Sequence, residues 1–61
     1  MDWNGWEKKR IFVQLKNGRV YQGTVERIDF SMTPLIFITI TDKFGKLIDI
    51  CESEIVRRVE E

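Results

Sequence analysis

Asn17-Gly18 stands between two runs of alternating apolar and polar residues, and no other feature of the chain narrows its fold so far. Ahead of it, Ile11, Val13 and Leu15 fall on one face while Phe12, Gln14 and Lys16 fall on the other. That period of two marks a half-buried strand. After it, Arg19 to Ile28 reads as the returning strand, with Tyr21, Gly23 and Val25 on one face. Asn-Gly at such a junction predicts a tight β-hairpin with both turn residues at positive φ. Gly18 thus belongs to the turn. Gly23, in mid-strand, predicts a sharp bend or the close approach of another backbone, because it has no side chain to pack.

The remaining residues continue in short strands. Asp29 to Pro34 reads as a loop, rich in turn-forming residues. Leu35 to Thr41 is apolar on both faces and predicts a strand covered on both sides. Asp42-Lys43-Phe44-Gly45 predicts a second hairpin turn, with Gly45 at positive φ. Lys46 to Cys51 is a fourth strand, Glu52-Ser53-Glu54 a polar corner, and Ile55 to Val59 a brief last strand. Residues 1–10 are polar apart from Trp3 and Trp6, and Asn4 and Glu7 have the spacing of a capping box. One or two helical turns, or a loose arm, are expected there. The fold class is therefore all-β: a small five-stranded, strongly bent antiparallel barrel over residues 11–61, with a short N-terminal helix or arm. Strands four and five carry apolar residues and no proline, so they are edges open to pairing.

With 61 residues the chain forms a single domain, near the lower limit for folding alone. It has one cysteine and no histidine, so neither an internal disulfide nor a good structural zinc site is available. By elimination, association with further copies is the expected source of stability. The lone cysteine and the lack of a signal-peptide pattern predict a reducing, cytoplasmic setting. The longest apolar run, Leu35 to Ile38, is far short of a membrane span. Ten basic residues balance ten acidic ones, which counts against a chain that coats nucleic acid over its whole surface. It leaves room for a local basic patch. No catalytic residue, metal or cofactor is expected. Cys51 lacks a histidine partner, and its acidic neighbours Glu52 and Glu54 blunt a thiol. Those two carboxylates are weak evidence for a cation site.

From Val13 to Ile36 the chain resembles the first signature of the Sm and Sm-like (LSm, Hfq-related) RNA-associated proteins. The matching residues are Val13, Leu15, Gly18, Tyr21, Gly23, Val25, Ile28, Asp29, Met32 and Ile36, with no insertion needed. Ile50 and Ile55 match the spacing of the second signature, but Cys51 and Glu52 stand where that signature has Arg and Gly. The resemblance implies a short helix followed by a bent five-stranded sheet. It also implies a homo-oligomeric ring of about five to seven subunits, and single-stranded RNA as a partner.

The resemblance further implies a base pocket made of a stacking residue, an Asn and an Arg. By position these are Ser31, Thr33 and Cys51, and none keeps the required chemistry. Serine has no π-face, threonine offers a hydroxyl in place of an amide, and cysteine lacks the planar charged fork of arginine. Asp29 reads best as a turn residue that accepts hydrogen bonds from nearby backbone. Phe30 is either a displaced stacker or a packing residue. A second candidate surface is Trp3, Trp6, Lys8, Lys9 and Arg10, because aromatic and basic residues together suit single strands. The competing reading is that the tryptophans pack and the cations are solvated. Three functions remain: an Sm-like ring with a role in RNA metabolism, a ring that serves as a protein scaffold, or an SH3-like peptide-binding module.

Overall fold

The computed structural model describes residues 3–61. The alternating run ahead of Asn17 forms β1 (Arg10–Leu15), and its partner β2 (Val20–Met32) is more than twice as long. They are followed by β3 (Leu35–Thr41), β4 (Leu47–Cys51), a single 3-10 turn at Glu52–Glu54, and β5 (Ile55–Glu60). All pairings are antiparallel, in one sheet of order β4-β3-β2-β1-β5. No ladder joins β4 to β5, so both are edges.

The inner face follows the alternation. Ile11 and Val13 of β1, Val25 of β2, Ile38 and Ile40 of β3, Ile50 of β4 and Ile55 of β5 are buried in one cluster with Trp3. Burying an aliphatic side chain of this size contributes about 1.5–3 kcal/mol. β3 lies within the sheet, and even its polar Thr39 is buried, with its hydroxyl donating to Asp49 at 2.6 Å.

Both hairpins use a three-residue loop. At the first, Gly18 N–H donates to Leu15 O and Leu15 N–H donates to Arg19 O. Gly18 lies at φ 86°, whereas Asn17 is not in the left-handed region. The expected two-residue turn with both residues at positive φ is therefore a turn closed by a glycine bulge. Asn17 instead uses its side chain, accepting from Arg19 N–H at 2.9 Å. The Asp42–Lys46 loop repeats the pattern, with Gly45 at φ 80°.

Two further expectations need correction. The segment from Asp29 to Pro34 is not a loop, because β2 runs on to Met32 and only Thr33-Pro34 turns. β2 reaches that far through two register shifts, between Val25 and Arg27 and between Asp29 and Met32. The first inserts Glu26 and moves the inward position from Val25 to Ile28. Such bulges let polar residues stay in a strand while bending it.

The N-terminal helix is absent from the described part of residues 1–10; Met1 and Asp2 lie outside it. Trp6 N–H donates to Trp3 O and Lys9 N–H donates to Trp6 O, which makes two successive turns. Gly5 and Lys8 adopt φ of 79° and 69°, and a left-handed residue ends a right-handed helix. Nor is this segment a loose arm. Lys8 N–H donates to Val25 O, Val25 N–H donates to Lys9 O, and Trp3 is 2% exposed.

Candidate functional site

The sheet register brings the sequence-derived pocket positions to one end of the molecule. Asp29 of β2 lies opposite Phe37 of β3, which lies opposite Cys51 of β4. Two strand spacings, about 10 Å, thus separate Asp29 from Cys51. Ser31 lies near the end of β2 and Thr33 on the β2–β3 turn, both beyond Asp29 and both exposed.

Their hydrogen bonds are local. Asp29 Oδ1 accepts from Ser31 N–H at 2.8 Å, and Thr33 Oγ1 donates to Phe30 O at 2.6 Å. The hydrogen bonds from the Ser31 side chain and then from its backbone amide hold the Asp29 carboxyl below its ordinary value. Cys51 Sγ lies 3.3 Å from Ser53 Oγ. Phe30, Met32 and Leu35 are exposed around the turn, giving its tip an apolar surface. Of the structural motif residues, Gly18 closes the first hairpin, Ile50 and Ile55 enter the core, and Gly23 packs directly against β3.

The N-terminal cluster is built around Arg58. This residue lies on β5 opposite Val13, and its guanidinium carbon is 4.4 Å from the Trp3 ring centroid and 4.0 Å from that of Trp6. The two indoles meet edge to face, 5.8 Å apart at 69°. Trp3 Nε1–H donates to Glu52 Oε2, tying the segment to the 3-10 turn. Lys8 pairs with Glu26 at 3.3 Å and Lys9 with Glu60 at 3.0 Å. The indole faces and both lysines thus have partners within the chain. Arg10 stands apart from them, at the start of β1.

Arg10 belongs to a different surface. One row of paired residues crosses four strands: Arg10, Thr24, Thr41 and Leu47. Beyond it, Val20, Tyr21 and Gln22 pair with β1 but not with β3, whose ladder to β2 starts at Thr24. The β3–β4 hairpin loop projects alongside them. Between the two lies an open cleft of about 600 Å³, lined by Arg10, Val20, Tyr21, Lys43, Phe44 and Lys46 among others. Phe44 is 83% exposed, with Lys43 Nζ 5.2 Å from its ring centroid. Asp42 also lines the cleft, but its Oδ1 accepts from the amides of Phe44 and Lys46. At the rim, the Gln22 amide donates to Glu61.

Sequence reading missed this cleft because its walls come from two different hairpins. One signal was available. A phenylalanine between two lysines is unusual in a tight turn, where small polar residues and glycine predominate.

Among the described residues, no cluster of three or more Cys, Asp or Glu side chains is arranged to hold a metal, and no helix is long and apolar enough to cross a membrane. Comparison of the chain with protein families, with curated protein sequences and with solved structures finds no match.

Proposed function

We propose that this protein is a non-catalytic, Sm-like ring of identical copies that works in the cytoplasm with a role in RNA binding or RNA metabolism. One observation carries the reading: the strand order ends on β4 at one side and β5 at the other. The inward residues of all five strands meet in one cluster, which supports a sheet curled towards a barrel. Its two unlike edges then suit a head-to-tail joint, β4 of one copy to β5 of the next, and such a joint closes into a ring when the rotation permits. Leu47 on β4 and Val56 and Val59 on β5 are exposed apolar residues at those edges. The resemblance of Val13 to Ile36 to the Sm-like signature supports the same assembly and adds RNA as the partner.

A second reading, a ring that acts as a protein scaffold, is favoured by the β2–β3 turn. Ser31, Thr33 and Cys51 offer neither a stacking face nor a charged fork, while Phe30, Met32 and Leu35 expose apolar surface beside them.

Native mass measurement with and without labelled oligouridine and oligoadenine separates the two readings. A discrete species of several subunits that takes up RNA supports the first reading, and one that ignores RNA supports the second. A stable monomer at micromolar concentration refutes both. Uridine-selective binding that survives raised salt would restore the pocket at Ser31, Thr33 and Cys51, with Phe30 as its stacker.

A further inference from the structure

We infer that the cleft between β2 and the β3–β4 hairpin loop binds single-stranded nucleic acid, with a base on the open face of Phe44 and backbone phosphates on Arg10, Lys43 and Lys46. The inference rests on the RNA reading above and gives it a location away from the β2–β3 turn.

Three observations point the same way. Phe44 is 83% exposed at the tip of a tight loop, where it contributes nothing to the buried core. An aromatic ring held clear of the sheet by a rigid loop presents a π-face that any base can stack on. The loop is rigid because the Asp42 carboxylate accepts two of its amides and Gly45 closes it.

The charge distribution is the second observation. The chain as a whole is neutral, yet the cleft gathers Arg10, Lys43 and Lys46 against one lining carboxylate, Asp42, with Glu61 at its rim. The ion pairs among the described residues engage Lys8 and Lys9 and leave these three cations out. Arg10 and Lys46 lie outside those ion pairs and Lys43 sits over one face of Phe44, an arrangement that favours a polyanion carrying flat rings.

The third is shape. A cleft of about 600 Å³ that is open along one side admits a nucleotide unit and lets the strand continue past it. Val20, which is exposed and lies away from both sheet edges, supplies an apolar wall for the sugar and base edges.

The test uses the full chain with fluorescent RNA and DNA oligomers of one mixed sequence, and polyglutamate as a base-free polyanion. Phe44→Ala should weaken oligonucleotide binding at least about five-fold, the loss of one stacked base. Lys43→Ser with Lys46→Ser should flatten the salt dependence. Neither variant should change the sedimentation profile, since all three residues are exposed. RNA binding that is unmoved by Phe44→Ala overturns the cleft and leaves the RNA reading standing. Polyglutamate binding as tight as RNA overturns the role of the bases. Absence of any nucleic-acid binding overturns the cleft and the RNA reading together.

Discussion

Gly23 and Thr41 are packed backbone to backbone: a β-carbon on Gly23 would lie 2.3 Å from the Thr41 carbonyl oxygen and 2.7 Å from Ile40 Cγ2. No side chain fits, because the nearer obstacle is a carbonyl of the sheet itself. Gly23→Ala is therefore expected to cost about 3 kcal/mol or more, at the upper end of overpacking effects. Thermal denaturation followed by circular dichroism measures this. An unchanged midpoint would mean that β2 and β3 do not approach at this point.

Lys8 and Gly18 make an opposed pair. Both lie at positive φ, but only one is glycine. Lys8→Gly should stabilise the fold by up to about 1 kcal/mol, since an L-residue in that region costs about 1–2 kcal/mol and glycine's own entropy offsets part of the gain. Gly18→Ala should destabilise by about 1–2 kcal/mol, although nothing lies within 4 Å of the added carbon. Chemical denaturation of both variants reads the two signs. Equal signs would contradict the backbone geometry.

Arg58 should matter more than a surface cation. Arg58→Met keeps the aliphatic stem over the indoles and removes the charge, at an expected cost of about 1–2 kcal/mol. Arg58→Lys should recover part of it. A neutral Arg58→Met variant in urea unfolding would show that the stacking contributes nothing.

The ring joint has a testable register. Leu47 and Asp49 on β4, and Arg57 and Val59 on β5, all point away from the core. Of the antiparallel registers that keep outer faces together, the one that pairs opposite charges sets Asp49 opposite Arg57 and Leu47 opposite Val59. Like charges across such a pair cost about 0.2–1 kcal/mol, repeated at every joint. Arg57→Glu should shift sedimentation towards smaller species, and adding Asp49→Lys should shift it back. Asp49 also accepts from the buried Thr39 hydroxyl, so the double variant carries Thr39→Val as well; failure to recover with an unchanged dichroism spectrum would rule out this register.

Asp29 gives a prediction about acidity. Its carboxyl is held below the ordinary value of 3.8, so its contribution to stability is complete above the unfolded-state value and fades as pH falls through the folded one. The Ser31 amide resonance should titrate with a midpoint below that of an unperturbed aspartate. In Asp29→Asn this titration should vanish. A midpoint at or above 3.8 would exclude the hydrogen bonds as its cause.

Much of the fold was legible because its signals are local. Leu35 to Thr41 could be bounded from its apolar run, and Gly18 and Gly45 announced their turns. What escaped depends on partners distant in sequence. β2 passes through Asp29 and Ser31 because β3 lies alongside to take its hydrogen bonds, and Glu26 is absorbed as a bulge; neither fact is written into residues 26–32 themselves. The turns at residues 3–9 replace a helix because Val25 offers a carbonyl and an amide to Lys8 and Lys9. Of the candidate surfaces, the base-pocket positions were legible through family spacing. The cleft was not, since Tyr21 and Phe44 come to line one space only once both hairpins are in place.

The stacking of Arg58 on Trp3 and Trp6 also fixes what light can report. These are the chain's two tryptophans, both within residues 3–10, so its indole emission comes from one short stretch of backbone and none of it from the strands. A red shift on warming would mark the moment that stretch lifts from β5 and the 3-10 turn, whether or not the sheet has melted. Fluorescence and far-ultraviolet dichroism, recorded on one sample, would therefore time two separate events.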